Sequence, residues 1–302
     1  MDRSDALLQL LRTLAAREYR FTTVTPSTHE RVLSRPALAS PSLSDIFGWN
    51  LPFRADQLDA DLLELLREAD ALEEDAGGLR SKVRVASLGD DLFLHSRFPT
   101  DAEDAVFFGP DTYRFATFIA KNIPQSANAI VDMGTGSGAG GIATARLAPS
   151  ASITLVDTNS AALELAGINA SAAGVPVTLQ QGREIPHGAD LILANPPYMI
   201  DGSRRSYRDG GGLLGGEISR AWAAQAAERL LPGGTLLLYT GAAYTRGQSP
   251  LLSALEEVAD AARAMLMIEE LDPDVFGEEL DKPGYEEVER IAAIGAVLRV
   301  PG

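Results

Sequence analysis

A glycine-rich segment at residues 131 to 141 reads Val131-Asp132-Met133-Gly134-Thr135-Gly136-Ser137-Gly138-Ala139-Gly140-Gly141. It begins in an apolar, strand-like run that ends at Met133, and a helical pattern begins at Ala139. Glycines at such a turn remove side chains, so a ligand can approach the backbone at the start of the helix. Asp157 ends the next apolar run, which is the position typical of an acid that binds ribose hydroxyls. Loop and acid together predict a nucleoside-binding site.

The chain around this stretch alternates apolar runs with helical patterns. The runs that predict strands lie at 129–133, 153–157, 175–179, 191–194 and 235–239, and the helical patterns lie at 139–147, 160–173 and 218–231. Two further apolar runs, at 265–271 and 291–300, are expected to close the sheet. The strands are apolar enough to be covered on both faces. The pattern therefore predicts an α/β fold with a Rossmann-like, doubly wound parallel sheet.

The first hundred residues have a different pattern. Helical patterns at 5–18 and 60–72 flank a stretch rich in proline and serine at 35–52, and two strand-like runs follow at 82–87 and 91–95. The turn residues Leu88-Gly89-Asp90 join these runs into a hairpin. Helices followed by a two-stranded ribbon indicate a small helical domain that resembles a winged helix. We expect an accessory, substrate-recognition domain at 1–98 and a catalytic domain at 99–302, with the linker near 96–104.

The glycine loop is compatible with two classes of cofactor. Gly136, Gly138 and Gly141 match the G-x-G-x-x-G spacing of nicotinamide-dependent oxidoreductases. Asp132, however, precedes the first glycine by two residues, where a carboxylate would repel a pyrophosphate. The same carboxylate suits the cationic aminoacyl end of S-adenosylmethionine. The sequence thus favours S-adenosylmethionine, with an oxidoreductase and a binding module without catalysis as alternatives.

A second motif, Asn195-Pro196-Pro197-Tyr198, ends the apolar run at 191–194. Ligands of doubly wound sheets lie beyond the carboxyl ends of the strands, so this motif is expected at the cofactor. The prolines fix φ and lack N–H groups, which leaves carbonyl oxygens facing the site, and Asn195 adds a side-chain acceptor. Such acceptors bind the hydrogens of a planar nitrogen more tightly as that nitrogen gains positive charge. We therefore predict Asn195, Pro196, Pro197 and Tyr198 as catalytic residues, with Tyr198 stacked on the acceptor.

With these motifs the sequence resembles the class I S-adenosylmethionine-dependent methyltransferases, in the small-domain group. That group contains the release-factor glutamine N5-methyltransferases and RNA methyltransferases that act on adenine or guanine nitrogens. The resemblance covers about residues 107–241 and includes Phe108-Gly109-Pro110-Asp111-Thr112 and Leu231-Pro232-Gly233-Gly234. It implies a seven-stranded sheet whose last strand is antiparallel. The candidate cofactor-binding residues are Asp132, Gly134, Thr135, Gly136, Gly138, Asp157 and Asn195.

Two departures from the family pattern bear on cofactor and substrate. Tyr113 follows the Pro-Asp-Thr segment where the glutamine enzymes carry glutamate, and Arg183 stands where an acid commonly contacts the adenine.

The formal net charge of -16 disfavours a polyanionic substrate. Three arginines in the stretch 203–212, at positions 204, 205 and 208, favour RNA instead. We predict a macromolecular substrate, with a protein glutamine amide favoured over an RNA base.

Composition and spacing exclude several other classes. The chain has no cysteine, which removes disulfides, thiolate zinc sites and cysteine-dependent methylation of pyrimidine C5. Its histidines, His29, His95 and His187, lack the spacing of a metal site, so no metal is expected. No apolar run approaches the roughly 20 residues of a membrane-spanning helix. We expect a soluble, cytoplasmic protein with no membrane partner.

Overall fold

The computed structural model describes residues 1–35, 40–75, 77–100, 102–201 and 208–302. The α-helices are α1 (Arg3–Ala16), α2 (Pro26–Leu33), α3 (Ala60–Glu68), α4 (Pro110–Asn122), α5 (Ala139–Leu147), α6 (Ser160–Ala173), α7 (Glu217–Arg229) and α8 (Pro250–Ala262). The strands are β1 (Leu72–Asp75), β2 (Gly78–Ser81), β3 (Val83–Leu88), β4 (Asp91–Ser96), β5 (Ala129–Met133), β6 (Ser152–Asp157), β7 (Thr178–Gln181), β8 (Ala189–Ala194), β9 (Leu230–Tyr244), β10 (Met265–Asp272) and β11 (Arg290–Arg299). Within these described ranges, no helix has the length and apolar character needed to cross a membrane.

Seven of the strands form one sheet in the order β10-β11-β9-β8-β5-β6-β7. The strands from β9 to β7 in this order run parallel to one another, and β11 is antiparallel to both β9 and β10. The predicted fold class, a Rossmann-like α/β sheet with an antiparallel last strand, is confirmed. Because β6, β5 and β8 are parallel neighbours, their carboxyl ends lie side by side.

Helices cover the sheet on both faces. Side chains alternate along a strand, so Ile192 of β8 faces the layer of α7 and α8 whereas Leu191 and Leu193 face α4 and α6. All three are fully buried. This two-sided burial is why β8 reads as a continuous apolar run rather than an alternating one.

The N-terminal helices pack directly on α6. Leucines of α1 and α3, among them Leu7 and Leu62, share one apolar core with Leu165 of α6. Asn169 of α6 is fully buried in this region. Its amide nitrogen donates to the carbonyl oxygens of Leu94 in β4 (3.1 Å) and Ser137 in the glycine loop (2.9 Å), and its oxygen accepts from Leu94 N (2.8 Å). The segments on the two sides of the proposed boundary at residue 98 therefore share one apolar core.

Most predicted elements occur within two residues of their expected bounds, and the larger differences have physical causes. β7 begins at Thr178 rather than 175, because Pro176 has no N–H for the ladder. β9 runs from Leu230 to Tyr244 rather than over 235–239, because Leu230 already pairs with Ala189 of β8 and residues 240–244 pair with the antiparallel β11. α3 ends at Glu68, since Asp70 adopts a φ of 48° and Leu72 already belongs to β1. The β1–β2 hairpin was not predicted, because Glu73 and Glu74 hide its strand pattern.

The junction at Asn169 leads to a stability prediction. We expect Asn169→Ala to lower the free energy of unfolding by about 2 to 4 kcal/mol, because three buried backbone groups lose their partner. Urea denaturation followed by circular dichroism measures this. Ser171→Ala is the matched control, since it removes an exposed hydroxyl that bonds Gly167 O on the same helix. Equal stability of the two variants would contradict the role of this junction.

Candidate functional site

A cavity lies at the carboxyl ends of β5, β6 and β8. Its volume of about 390 Å³ is usual for a small-molecule site. The glycine loop and Asp157 form one side of its wall. Asn195, Pro196 and Pro197 form another. The wall also includes residues that the sequence did not assign to the site, among them Phe107, Asp111, Thr112, Phe115, Trp222 and Gln225.

The glycine loop is held in place by the end of β6. The N–H groups of Gly134 and Thr135 donate to Val156 O at 2.8 and 3.0 Å, and Gly136 N donates to the Asp157 carboxylate at 2.9 Å. Gly134 has a φ of +67°, and a Cβ there would lie 2.6 Å from the Trp222 ring. The loop thus needs glycine at this position both for its backbone conformation and for the close approach of Trp222.

Asp132 is a buried carboxylate at the end of β5, with 2% of its surface exposed. Its Oδ2 atom accepts hydrogen bonds from Thr135 Oγ1 (2.7 Å) and Gly141 N (2.8 Å). Within the described residues Oδ1 accepts none, so its lone pairs are available to a ligand in the cavity. Burial raises the pKa of Asp132 to about 6, although both hydrogen bonds act in the opposite direction.

Asp157 lies beside Asp132 at the end of β6. Its two oxygens accept from Gly136 N and Asn159 N, each at 2.9 Å. Burial raises its pKa, and its charge contributes to the raised pKa of Asp132. Two neighbouring carboxylates favour a ligand that carries a cation and hydroxyl donors, and they disfavour a pyrophosphate. The two acidic acceptor groups of the cavity therefore fit S-adenosylmethionine better than a dinucleotide.

The segment after β8 divides its residues between the cavity and the protein interior. Asn195 is partly exposed, and among the described residues its side chain makes no hydrogen bond. Tyr198 points away from the cavity wall: its hydroxyl donates to Asp111 Oδ2 at 2.5 Å, and its ring lies against Gly241. This differs from the expected stacking of Tyr198 on an acceptor, and the reason is the buried carboxylate, which binds the hydroxyl.

Other predicted positions lie at the margin of the cavity or outside it. Arg183 lines the cavity and is exposed. His29 and His95 are buried and stack on Phe98 (4.2 Å) and Phe108 (5.4 Å). The part of the chain that the structure describes contains no group of three or more His, Cys, Asp or Glu residues suited to a metal ion. Positions 204 and 205 fall in the stretch 202–207, which lies outside the described residues.

Comparisons with known proteins agree with this geometry. The family model for the methyltransferase small domain matches residues 103–264, more than half of the chain. A release factor glutamine methyltransferase from Cereibacter sphaeroides is 29% identical over 211 residues, which cover 64% of this chain and 70% of that protein. The one from Gloeobacter violaceus is 35% identical over 143 residues, 42% of this chain and 49% of that protein. The chain thus spans about half the length of the second relative.

Solved structures share the fold at low sequence identity. Trm5b from Pyrococcus abyssi matches with a TM-score of 0.52 and 16% identity, over 82% of this chain and 69% of that chain. M. jannaschii TYW2, solved in complex with AdoMet, matches with a TM-score of 0.50 and 12% identity, over 72% of this chain and 87% of that chain. These likenesses support the assignment of the fold.

The raised pKa of Asp132 leads to a prediction about stability and pH. The pKa of the Asp132 carboxyl is higher in the folded state than in the unfolded state. Its contribution to the stability of the protein is therefore present below about pH 4 and is lost as pH rises through about 4 to 6. We expect Asp132→Asn to stabilise the ligand-free protein at pH 8, by up to about 3 kcal/mol, and much less at pH 4. Thermal denaturation at both pH values measures this.

Glu256→Gln is the control for that experiment, because it neutralises an exposed carboxyl on α8. Its melting temperature is expected to follow that of the unmodified protein at both pH values. A variant Asp132→Asn that is less stable than the unmodified protein at pH 8 would contradict the assignment of a costly buried charge at this position.

Proposed function

We propose that this chain, which belongs to the methyltransferase small domain family, methylates the side-chain amide nitrogen of a glutamine in a protein. The enzyme is a methyltransferase, and S-adenosylmethionine is its cofactor. The observation that carries the proposal is the wall formed by Asn195, Pro196 and Pro197, which meets the acidic glycine-loop side in one cavity. When bound, S-adenosylmethionine supplies an electrophilic methyl group on a sulfonium.

The acidic side of the cavity supplies the groups for holding the cofactor. Asp132 Oδ1 would accept from the aminoacyl ammonium of the cofactor, and this contact would favour the ionised form of a carboxyl whose pKa burial has raised. Asp157 would accept from the ribose hydroxyls, and Gly134, Thr135, Gly136 and Gly138 would give the cofactor access to the backbone of the loop. Asn195 lines the same cavity as these residues, so it would lie within reach of the cofactor as well as the acceptor.

The proline side supplies the groups for the acceptor. A glutamine amide is a poor nucleophile because its lone pair is delocalised, and its N–H groups become stronger donors as methyl transfer proceeds. Asn195 and the carbonyl oxygen of Pro196 accept these hydrogens and bind them more tightly in the transition state than in the ground state. Asn195 is suited to this role because no described residue occupies its amide.

Three observations support a protein acceptor over RNA. The net charge of -16 disfavours a polyanion, and the curated relatives quoted above are named release factor glutamine methyltransferases. Arg208, one of three arginines that favoured RNA, forms an ion pair with the buried Glu279.

Tyr113, which replaces the family's glutamate, does not line the cavity, and its hydroxyl accepts from Thr23 N at 3.0 Å. This departure therefore leaves the acceptor side of the cavity unaffected.

Cofactor binding is tested at Asp157. We expect Asp157→Ala to weaken binding of S-adenosylmethionine by about 10- to 150-fold, because each charge-assisted hydrogen bond contributes roughly 1.5 to 3 kcal/mol. Isothermal titration calorimetry measures the affinity. Asp190→Ala is a matched control, since that carboxylate also accepts backbone N–H groups. Its donors, Asn128 and Ala129, lie at the amino end of β5, at the other end of the strand from the cavity. Equal affinities of the two variants would remove Asp157 from the site.

Catalysis is tested at Asn195. We expect Asn195→Ala to lower methyl transfer to a translation release factor by about two to three orders of magnitude, because a transition-state contact is lost. Cofactor affinity should fall much less. Asn195→Asp keeps an acceptor and should retain part of the activity, while its charge strengthens binding of the sulfonium in the ground state. Transfer of tritiated methyl from S-adenosylmethionine measures the rate.

The control variant is Asn128→Ala, which removes an exposed amide that bonds Ser126 O far from the cavity. Ribosomal and transfer RNA serve as the alternative acceptors in the same assay. Label in RNA with none in the release factor would overturn the glutamine assignment. Transfer by Asn195→Ala at the rate of the unmodified enzyme would overturn the planar-nitrogen mechanism itself.

A further inference from the structure

One buried carboxylate connects the segment after β8 to three other elements. Asp111, near the start of α4, is 3% exposed and accepts hydrogen bonds from Tyr198 on Oδ2 (2.5 Å) and from Tyr239 of β9 on Oδ1 (2.6 Å). Arg114 contacts the same Oδ1 at 3.3 Å and pairs with Asp272 of β10 at 2.7 Å. The hydroxyl of Tyr198 is thereby fixed by a carboxylate at the start of α4.

Glycines fix the rest of Tyr198. A Cβ at Gly241 would lie 2.3 Å from the Tyr198 ring, so the ring rests directly on the backbone of β9. Cβ atoms at Gly210 and Gly215 would lie 2.7 Å from Tyr198 Cα and 2.3 Å from Tyr198 O. The ring and the backbone of this residue therefore have no room to shift without moving a neighbouring main chain.

The segment needs such an anchor because of its composition. Pro196 and Pro197 have no backbone N–H, so they cannot be positioned by hydrogen bonds that they donate. On their carboxyl side, Met199 is held by Arg208 O (3.0 Å) and Gly210 N (2.8 Å). Between these contacts and β8, the side chain of Tyr198 ties the segment that contains the two prolines to the core.

We propose that Asp111 is a positioning residue for methyl transfer: it holds Tyr198 and, through Tyr198, sets the position of the Asn195–Pro197 wall. This inference rests on the proposed function of that wall. Burial of an ionised carboxylate is unfavourable unless hydrogen bonds compensate it, so the two tyrosines and Arg114 are required partners. Because the ring of Tyr198 is held away from the cavity, the aromatic side chains that line the cavity among the described residues are Phe107, Phe115 and Trp222.

Steady-state kinetics and calorimetry on the full chain test the proposal. We expect Asp111→Asn and Tyr198→Phe each to lower kcat for the release factor about 10- to 100-fold, with the Kd of S-adenosylmethionine changed less than about threefold. The double variant is expected to lose little more than the worse single variant, because both act through one hydrogen bond. Thr117→Val, an exposed change on the same helix, is the control with unchanged kcat.

Gly241→Ala provides a second lesion, because it displaces the Tyr198 ring and leaves the carboxylate intact. We expect a similar loss of kcat with cofactor binding retained. A kcat equal to that of the unmodified enzyme in Asp111→Asn or in Gly241→Ala overturns the positioning role, as do multiplicative effects in the double variant. If Asn195→Ala is impaired and these variants are not, only this inference fails; if Asn195→Ala is unimpaired, the proposed function fails.

Discussion

The parallel register of β6, β5 and β8 is the constraint on which the site depends. Because these strands are neighbours and run the same way, the residues that follow them meet at one edge of the sheet. Asp157 ends β6, Asp132 lies at the end of β5, and Asn195 follows β8. Residues more than 60 positions apart in the chain thus surround one cavity, and they do so through backbone pairing rather than through contacts with one another.

Buried carboxylates give this cavity its character. Asp132 and Asp157 are each satisfied by backbone N–H or hydroxyl donors, and Asp111 by two phenols and a guanidinium. Burial raises the pKa of all three. Asp111 has the Arg114 guanidinium as its cationic partner, whereas among the described residues Asp132 and Asp157 have none, so their charges are costly in the ligand-free protein. That cost is acceptable at a site whose ligand carries an ammonium and a sulfonium, which explains why the arrangement suits a methyl donor.

The sheet and most of the cavity could be predicted from the sequence because both depend on local signals. The glycine loop, Asp157 and Asn195 come at strand ends that apolar runs already mark. Trp222 gave no such signal: it belongs to an ordinary helical pattern and reaches the site because Gly134 leaves room for its ring. The orientation of Tyr198 was also out of reach, since it depends on a carboxylate 87 residues earlier in the chain.

The proposed function requires the Asn195–Pro197 wall to bind a planar amide beside the cofactor. A crystal structure of the enzyme with S-adenosylhomocysteine and a glutamine peptide from a release factor tests it most directly. The glutamine amide nitrogen is expected to lie within hydrogen-bond distance of Asn195 Oδ1 and Pro196 O, in front of the sulfur. A peptide whose glutamine binds elsewhere, with Asn195 turned away from it, would contradict the account.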